Sequence, residues 1–491
     1  MARNSSLRVD SVEVNATQLN VIGGCGLALF MKYLRRKGFF RMLNFRLPVS
    51  LSNAGYKSEV YVKTLFALKL LYPDVNAPLS RIDEMRKSKA IKQALFVRDI
   101  PCSVAVGDWL RRLAYCERIG KLDDGSAVLG GYTDGLRRSQ ALFYEVTGEV
   151  LRMMGKELGA TLDFDASCIF GDKRCDKWMY NEAKGSMSYL GFIGRICVMA
   201  ELEMGNHSPS DSIDQRIGSC IGFAQEYGAI VSRVRSDSAG YQSAVMNACE
   251  KADRKFYVRA DADRSVRRAC TSIRDWSHYD VSVSKGKTCR REMGTAVHCM
   301  ERTDAAFTLV VKREISPEKV GPQTALPELD ASGYKYWCIA TNDSVASEPG
   351  DTGLTPGQVE EIFNDHCDVE NRIKQLKSDT GIGRLSTSEL DANRVYVYIM
   401  ALLHNLFESF KFECLPDSYK NKRLPTVVRE LLLVPGKLVV RGHRMVIDLP
   451  AYLKCMLRSY QDILRIIQEQ VRALARSASP PSFEEMIFRR D

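Results

Sequence analysis

Three short stretches place carboxylates where an ordinary soluble chain would put something blander. In TLDFDAS, Leu162 and Phe164 alternate with Asp163 and Asp165, so the period-2 geometry of a strand sends two carboxylates out of one face. In VSRVRSDSAGY, Asp237 closes a β-type run just before Ser-Ala-Gly, and the carboxyl ends of strands are where sites gather in α/β sheets. In QVEEIFNDHCDVENRIKQLK, read as one helix with Phe363 at the origin, His366 falls at about 300°, Lys377 at about 320° and Glu370 at about 340°. That arc borders the apolar stripe of Ile362, Val369, Ile373 and Leu376. Each acid alone also has an everyday reading: a solvent-facing edge strand, a helix N-cap for Asp237, a solvated helix margin for Glu370. Together they are hard oxygen donors of the kind Mg²⁺ prefers. Two such ions about 4 Å apart can activate an attacking oxygen and stabilise a leaving one at a phosphodiester.

Positioning three acids so far apart in the chain requires a sheet and a helix. Residues 1–155 read as a helical N-terminal region, because SEVYVKTLFALKLLYP, SRIDEMRKSKAIKQALF and VAVGDWLRRLAYCERI repeat apolar residues every three to four positions, and the basic stretch KYLRRKGFFRMLNFR makes it the candidate DNA-binding region. From 156 to 264 short β-type runs take over (TLDFD, RICVMAELEMG, GAIVSRVRSD, KFYVRA), and helical stretches follow the later ones. That alternation predicts the first part of a mixed α/β catalytic domain. Residues 265–350 lose helical periodicity and read as a β-rich insertion, and 351–412 return as the second part of the catalytic domain, its RVYVYIMALLHNLF nearly all apolar and so expected buried. Residues 413–491 predict a hairpin, KLVVRGHRMVIDL, then a long amphipathic helix at 451–475 for dimerisation or DNA contact, and a frayed SASPPS tail.

Composition narrows the class. Hydrophobic residues make up 45% and charged residues 26% of the 491, a folded globular profile. No stretch approaches about 18 uninterrupted apolar residues, so no membrane partner is expected. The expected location is the cytoplasm, with the nucleoid. The 15 cysteines contain no C-x-x-C pair, which predicts reduced, mostly buried thiols. Of the net charge of +10, the stretch Lys251–Arg291 alone contributes +7, with twelve Lys/Arg against five Asp/Glu. A second basic stretch, KYLRRKGFFRMLNFR, interleaves aromatics with cations as a helix on a phosphate backbone would, or as a solvated helix face.

The three acidic stretches, in this order, resemble the DDE transposases of bacterial insertion sequences, the cut-and-paste group whose ribonuclease-H-like domain carries a β-rich insertion. Asp165-Ala166-Ser167 matches a D-x-T/S pattern, and Asp237, Ala239 and Tyr241 match D-x-G/A-x-Y/F. Phe363, His366, Glu370 and Lys377 stand at the positions of Y-x2-R-x3-E-x6-K. The gaps of 72 and 133 residues leave room for the insertion after the second acid. The resemblance implies a ribonuclease-H-like α/β fold and a catalytic, metal-binding triad of Asp165, Asp237 and Glu370 holding two Mg²⁺, with Mn²⁺ as a substitute. It also implies DNA contacts from Lys377, Lys374, His366 and Trp337, the last by stacking on a base flipped from the transposon end. The implied partners are double-stranded DNA, both terminal inverted repeats and target, and a second copy of the chain in a synaptic homodimer. Two departures stand out: the motif's Tyr and Arg are Phe363 and His366 here. Phe cannot hydrogen-bond a phosphate, and neutral His offers one donor where Arg offers a fork. A metal-dependent nuclease or junction resolvase without strand transfer, and an inactive or repurposed transposase acting only as a DNA-binding protein, are the alternatives.

Overall fold

The computed structural model describes residues 21–47, 55–73, 77–114, 118–121, 127–129, 134–155, 158–261, 263–284, 287–315, 334–346, 351–365, 367–441, 444–450 and 454–477. The chain is mixed α/β, built on one ten-stranded sheet of ribonuclease-H-like order. Three minor strands precede it: β1 (Val21–Ile22), β2 (Arg118–Lys121) and β3 (Ala127–Leu129). The sheet comprises β4 (Thr161–Phe170), β5 (Lys177–Trp178), β6 (Lys184–Ile193), β7 (Ile196–Met204), β8 (Arg233–Ser236), β9 (Lys255–Arg259), β10 (Ser277–Ser284), β11 (Lys287–His298), β12 (Phe307–Ile315) and β13 (Tyr334–Thr341). Its middle runs β7-β6-β4-β8-β9, antiparallel up to β4 and parallel from β4 through β8 to β9.

The region expected as a β-rich insertion forms four strands, β10–β13, that extend this same sheet. β13 pairs antiparallel with β9 through Ile339–Arg259, Ala340–Val258 and Thr341–Tyr257, and β12, β11 and β10 follow outward. The segment is not wholly β, because RSVRRACTS forms the helix Arg264–Ser272, N-capped by the Asp263 side chain on Val266 N.

Both sheet faces are covered. On one, Leu162, Phe164, Val234, Phe256 and Val258 form an apolar cluster with Ile213 and Ile217 of the helix Ile213–Glu226, Val245 of Ser243–Lys251 and Val266 of Arg264–Ser272. On the other, the helix Leu390–Cys414 packs on Leu190, Phe192 and Leu202, and the N-terminal helices share its core. It is buried on nearly every side, as its run of apolar residues dictates. Asn405 docks it by accepting from Cys197 N at 2.9 Å and donating to Cys197 O at 2.8 Å. Further along this second face, the helix Pro356–Asn364 covers Tyr257, Met293, Val310 and Ile339 through Val359.

In KYLRRKGFFRMLNFR three of the four aromatics turn inward: Tyr33, Phe39 and Phe40 are buried, Phe45 stays exposed with the Arg46 guanidinium 5.7 Å from its ring centroid, and Arg46 and Lys37 pair with Glu145 and Glu413. The interleaving is therefore the amphipathic pattern of the helices Leu27–Arg36 and Phe39–Arg46. The C-terminal hairpin forms from β14 (Gly436–Arg441) and β15 (Arg444–Asp448), and the helix Lys454–Ser477 follows. The turn at Gly442 and the SASPPS tail lie outside the described residues. Among the described residues no helix is long and apolar enough to cross a membrane, and the eleven cysteines whose side chains are described are free thiols, seven of them buried.

Candidate functional site

The sheet register brings the first two acids together. β4 and β8 run parallel with Leu162 beside Val234, Asp163 beside Arg235 and Phe164 beside Ser236. The next residue on each strand is Asp165 on β4 and Asp237 just past the end of β8. Both residues are half-buried, neighbouring strands are about 4.8 Å apart, and both charges act on the hydroxyl of Tyr180. The N-cap reading of Asp237 is also realised: its Oδ1 accepts from Ala239 N at 3.1 Å and caps the 3₁₀ turn Ser238–Gly240.

Asp163, the other acid of TLDFD, has a different fate. It is 1% exposed and forms a two-pronged ion pair with Arg235, Nε to Oδ1 at 2.6 Å and Nη2 to Oδ2 at 3.0 Å. The remaining guanidinium nitrogen, Nη1, donates to the carbonyl of Ile362 at 2.6 Å. A buried carboxylate needs such a partner, and Asp163 is thereby committed to holding β4, β8 and the helix Pro356–Asn364 in place.

The third acid lies on a helix that the sequence reading drew too long. Helix Pro356–Asn364 stops with Asp365 as its C-cap, and a second helix runs Cys367–Asp379. Asn364 and Asp365 are poor interior helix formers, because their side chains compete for nearby backbone groups. The single-helix angles relating Phe363 and His366 to Glu370 therefore do not apply. Phe363 instead packs against the apolar cluster under Val359, and His366 lies outside the described residues.

Within Cys367–Asp379 the relation of Glu370 to Lys377 does hold: seven residues are two turns, the same helix face, about 10 Å apart. The Lys377 ammonium donates to Cys168 O at 2.9 Å and to Ser167 Oγ. Burial pushes its pKa down, against an opposing pull from nearby Asp165. The segment bearing Glu370 is thus tied to the sheet on both sides of Asp165, by Arg235–Ile362 beside Asp163 and by Lys377 at Ser167. The side chain of Glu370 itself is outside those described. Among the described residues no three His, Cys, Asp or Glu side chains gather as a metal-binding group.

Trp337 shares this face. Asp163, Arg235, Tyr257 and Thr341 stand in one row across β4, β8, β9 and β13, and Trp337 is four residues from Thr341 on the same side. Three strand spacings put it about 15 Å from Asp165. It is half-buried, with the Lys312 ammonium 5.3 Å from its ring centroid. Lys374 is exposed on the helix Cys367–Asp379.

Two residues escaped the sequence reading. Arg259 is exposed on β9, one step past the Ser236–Val258 pair and hence in line with Asp237; KFYVR, alternating after a β8-type run, carried that signal. Tyr180 is 69% exposed, and its hydroxyl pKa is raised by partial burial, by Cys168 and then by the charges of Asp237 and Asp165.

The sheet has a ribonuclease-H-like order, with Asp165 midway along β4 and Asp237 just past the end of β8, and comparison with known proteins gives the family. The model of Transposase DDE domain group 1 matches residues 10–475, and the chain belongs to that family. No curated protein matches it. A cryo-EM structure of the piggyBac transposase synaptic complex with hairpin DNA aligns at 11% identity and a TM-score of 0.45, over 83% of this chain and 79% of that one.

Proposed function

We propose that this chain is the transposase of a bacterial insertion sequence, and that it cuts DNA at the element's terminal inverted repeats and joins the freed ends to target DNA. The observation that carries the reading is the parallel register of β4 and β8, which runs to Phe164–Ser236 and leaves Asp165 and Asp237 as the next residue on each strand, in a chain of this family. Their hard carboxylate oxygens suit divalent ions. Asp165 and Asp237, completed by Glu370, are the residues that would hold two Mg²⁺, with Mn²⁺ expected to substitute. Such ions, when bound, supply an activated water and neutralise charge on the phosphodiester.

The chain's own part is placement. Asp163 and Arg235 neutralise each other beneath the pair, so the acids able to face a ligand are Asp165 and Asp237. Lys377 holds β4 through Ser167 and Cys168, and, as the match to the family's motif implies, it is assigned to a phosphate next to the cut. Lys374 and Arg259 are the further cations, and His366 a further hydrogen-bond donor, assigned to the DNA backbone, and Trp337 is assigned to an extruded base, whose π-face an aromatic ring holds regardless of identity. A homodimer pairing the two ends completes the proposal.

The test is cleavage of DNA carrying the inverted repeats that flank the gene, in Mg²⁺, with Asp237→Asn beside the wild type. Cutting by the wild type alone is expected. Binding without cutting by both proteins would favour an inert, repurposed DNA-binding protein, and cutting without strand transfer would favour a nuclease.

A further inference from the structure

Among the described residues, few large hydrophobic side chains are well exposed, and two of them belong to one short turn. Trp178 is 64% and Tyr180 69% exposed, and Met179 between them is buried. The turn is rigid. Met179 N donates to Ala183 O at 2.8 Å, and Glu182 N to Met179 O at 3.1 Å, with Glu182 in the left-handed region at φ 61°. Met179 sits in a slot that two glycines leave open: a Cβ on Gly185 would come within 3.0 Å of its Cε, and one on Gly205 within 2.8 Å of its Cγ. The rings are thus held outward on a pinned methionine. Burying rings that size would gain free energy, so two of them fixed in water call for a ligand.

The turn's location says which ligand. Asn181, at its tip, reaches Cys168 Sγ at 4.0 Å, and Cys168 is three residues past Asp165 on β4, about 10 Å away. The Lys184 ammonium lies 5.4 Å from the Trp178 ring centroid and 3.4 Å from Asp172, and Lys177, the residue before Trp178, is exposed. Aromatic faces interleaved with cations suit a nucleic-acid strand whose bases are unpaired. We propose that Trp178 and Tyr180 form a stacking platform for unpaired bases of the DNA strand that continues past the Asp165–Asp237 pair, distinct from the place assigned to Trp337 across the sheet. The platform rests on the DNA-cutting reading and adds to it a requirement for opened DNA on the β5 side of the cut.

The experiment uses the full chain and an end duplex from the gene's flank, with 2-aminopurine at successive positions around the cut and Ca²⁺ in place of Mg²⁺ so that no strand is broken. Wild-type protein quenches the probe at one or two positions on one side of the cut. The double variant Trp178→Ala/Tyr180→Ala loses that quenching and binds a duplex with unpaired bases there roughly 5- to 100-fold more weakly, while a fully paired duplex is bound as before. Trp178→Phe keeps most of the quenching. Equal quenching and affinity in the double variant would overturn the platform, as would an unchanged DNA affinity accompanied by loss of a dimer, which would assign the rings to a second copy of the chain. Absence of any end-DNA binding by the wild type would instead remove the transposase reading itself.

Discussion

Lys69 offers a test in which the fold's electrostatics set both size and sign. It lies in the helix Ser58–Leu71, 3% exposed, its ammonium donating to Ala77 O at 3.0 Å and lying 5.8 Å from the Tyr396 ring centroid. Burial, helped by nearby Arg384, lowers its pKa from 10.5 to about 8. Below pH 8 both folded and unfolded chains carry the proton, and the fold bears the full cost of the buried charge. Between about 8 and 10.5 the folded chain releases a proton that the unfolded chain keeps, so stability rises with pH across that window. At about 1.4 kcal/mol per tenfold change, the rise is about 3 kcal/mol. Lys69→Met abolishes it but leaves the Ala77 carbonyl without this donor, an offset of about 1 kcal/mol. The variant should therefore be more stable than wild type by about 2 kcal/mol at pH 7 and less stable by about 1 kcal/mol at pH 10.5. Urea unfolding of both proteins at the two pH values measures this, and other titrating groups cancel in the difference. A difference that keeps the same sign and size at both pH values would refute the reasoning.

Other outcomes follow from the site. Arg235→Met leaves Asp163 buried without its counter-charge and should cost about 3–5 kcal/mol, whereas Asp163→Leu/Arg235→Met together should recover much of it; denaturant midpoints of the two variants report the contrast. In Gly240→Ala the new methyl would meet Ser236 Cβ and Oγ at 2.6 Å, so a loss of about 1–3 kcal/mol is expected, with weaker cutting because the turn capped by Asp237 must shift. Trp337→Ala should weaken binding of an end with an extruded base by about 1–3 kcal/mol and leave fully paired DNA unaffected, as fluorescence anisotropy would show.

Much of the core sheet was legible because its signals are local. The alternation in TLDFDAS, the β run ending at Asp237 and the all-apolar stretch within Leu390–Cys414 each dictate an element directly. What was hidden depends on partners distant in the chain. Nothing in TLDFD distinguishes Asp163 from Asp165; only the register with β8, 72 residues on, reveals that Arg235 neutralises one of them. The pairing of β13 with β9 that merges the insertion into the central sheet is equally non-local. The break after Asn364 was within reach, since Asn-Asp is a weak interior for a helix, but the apolar spacing on either side suggested continuity. Trp178 and Tyr180 also left a signal, aromatics alternating with a methionine in an otherwise polar turn, whose meaning required knowing which side faces water.

The most direct test of the central claim replaces the metal-holding oxygens themselves. Asp165→Cys, Asp237→Cys and Glu370→Cys are assayed singly for cutting of end DNA in Mg²⁺, then with Mn²⁺ or Cd²⁺ added, because thiolates favour softer ions. The account predicts that each variant is inactive in Mg²⁺ and regains cutting with the softer ion, while Asp163→Cys shows no such metal-selective rescue. Full Mg²⁺-dependent cutting by any of the three would contradict it.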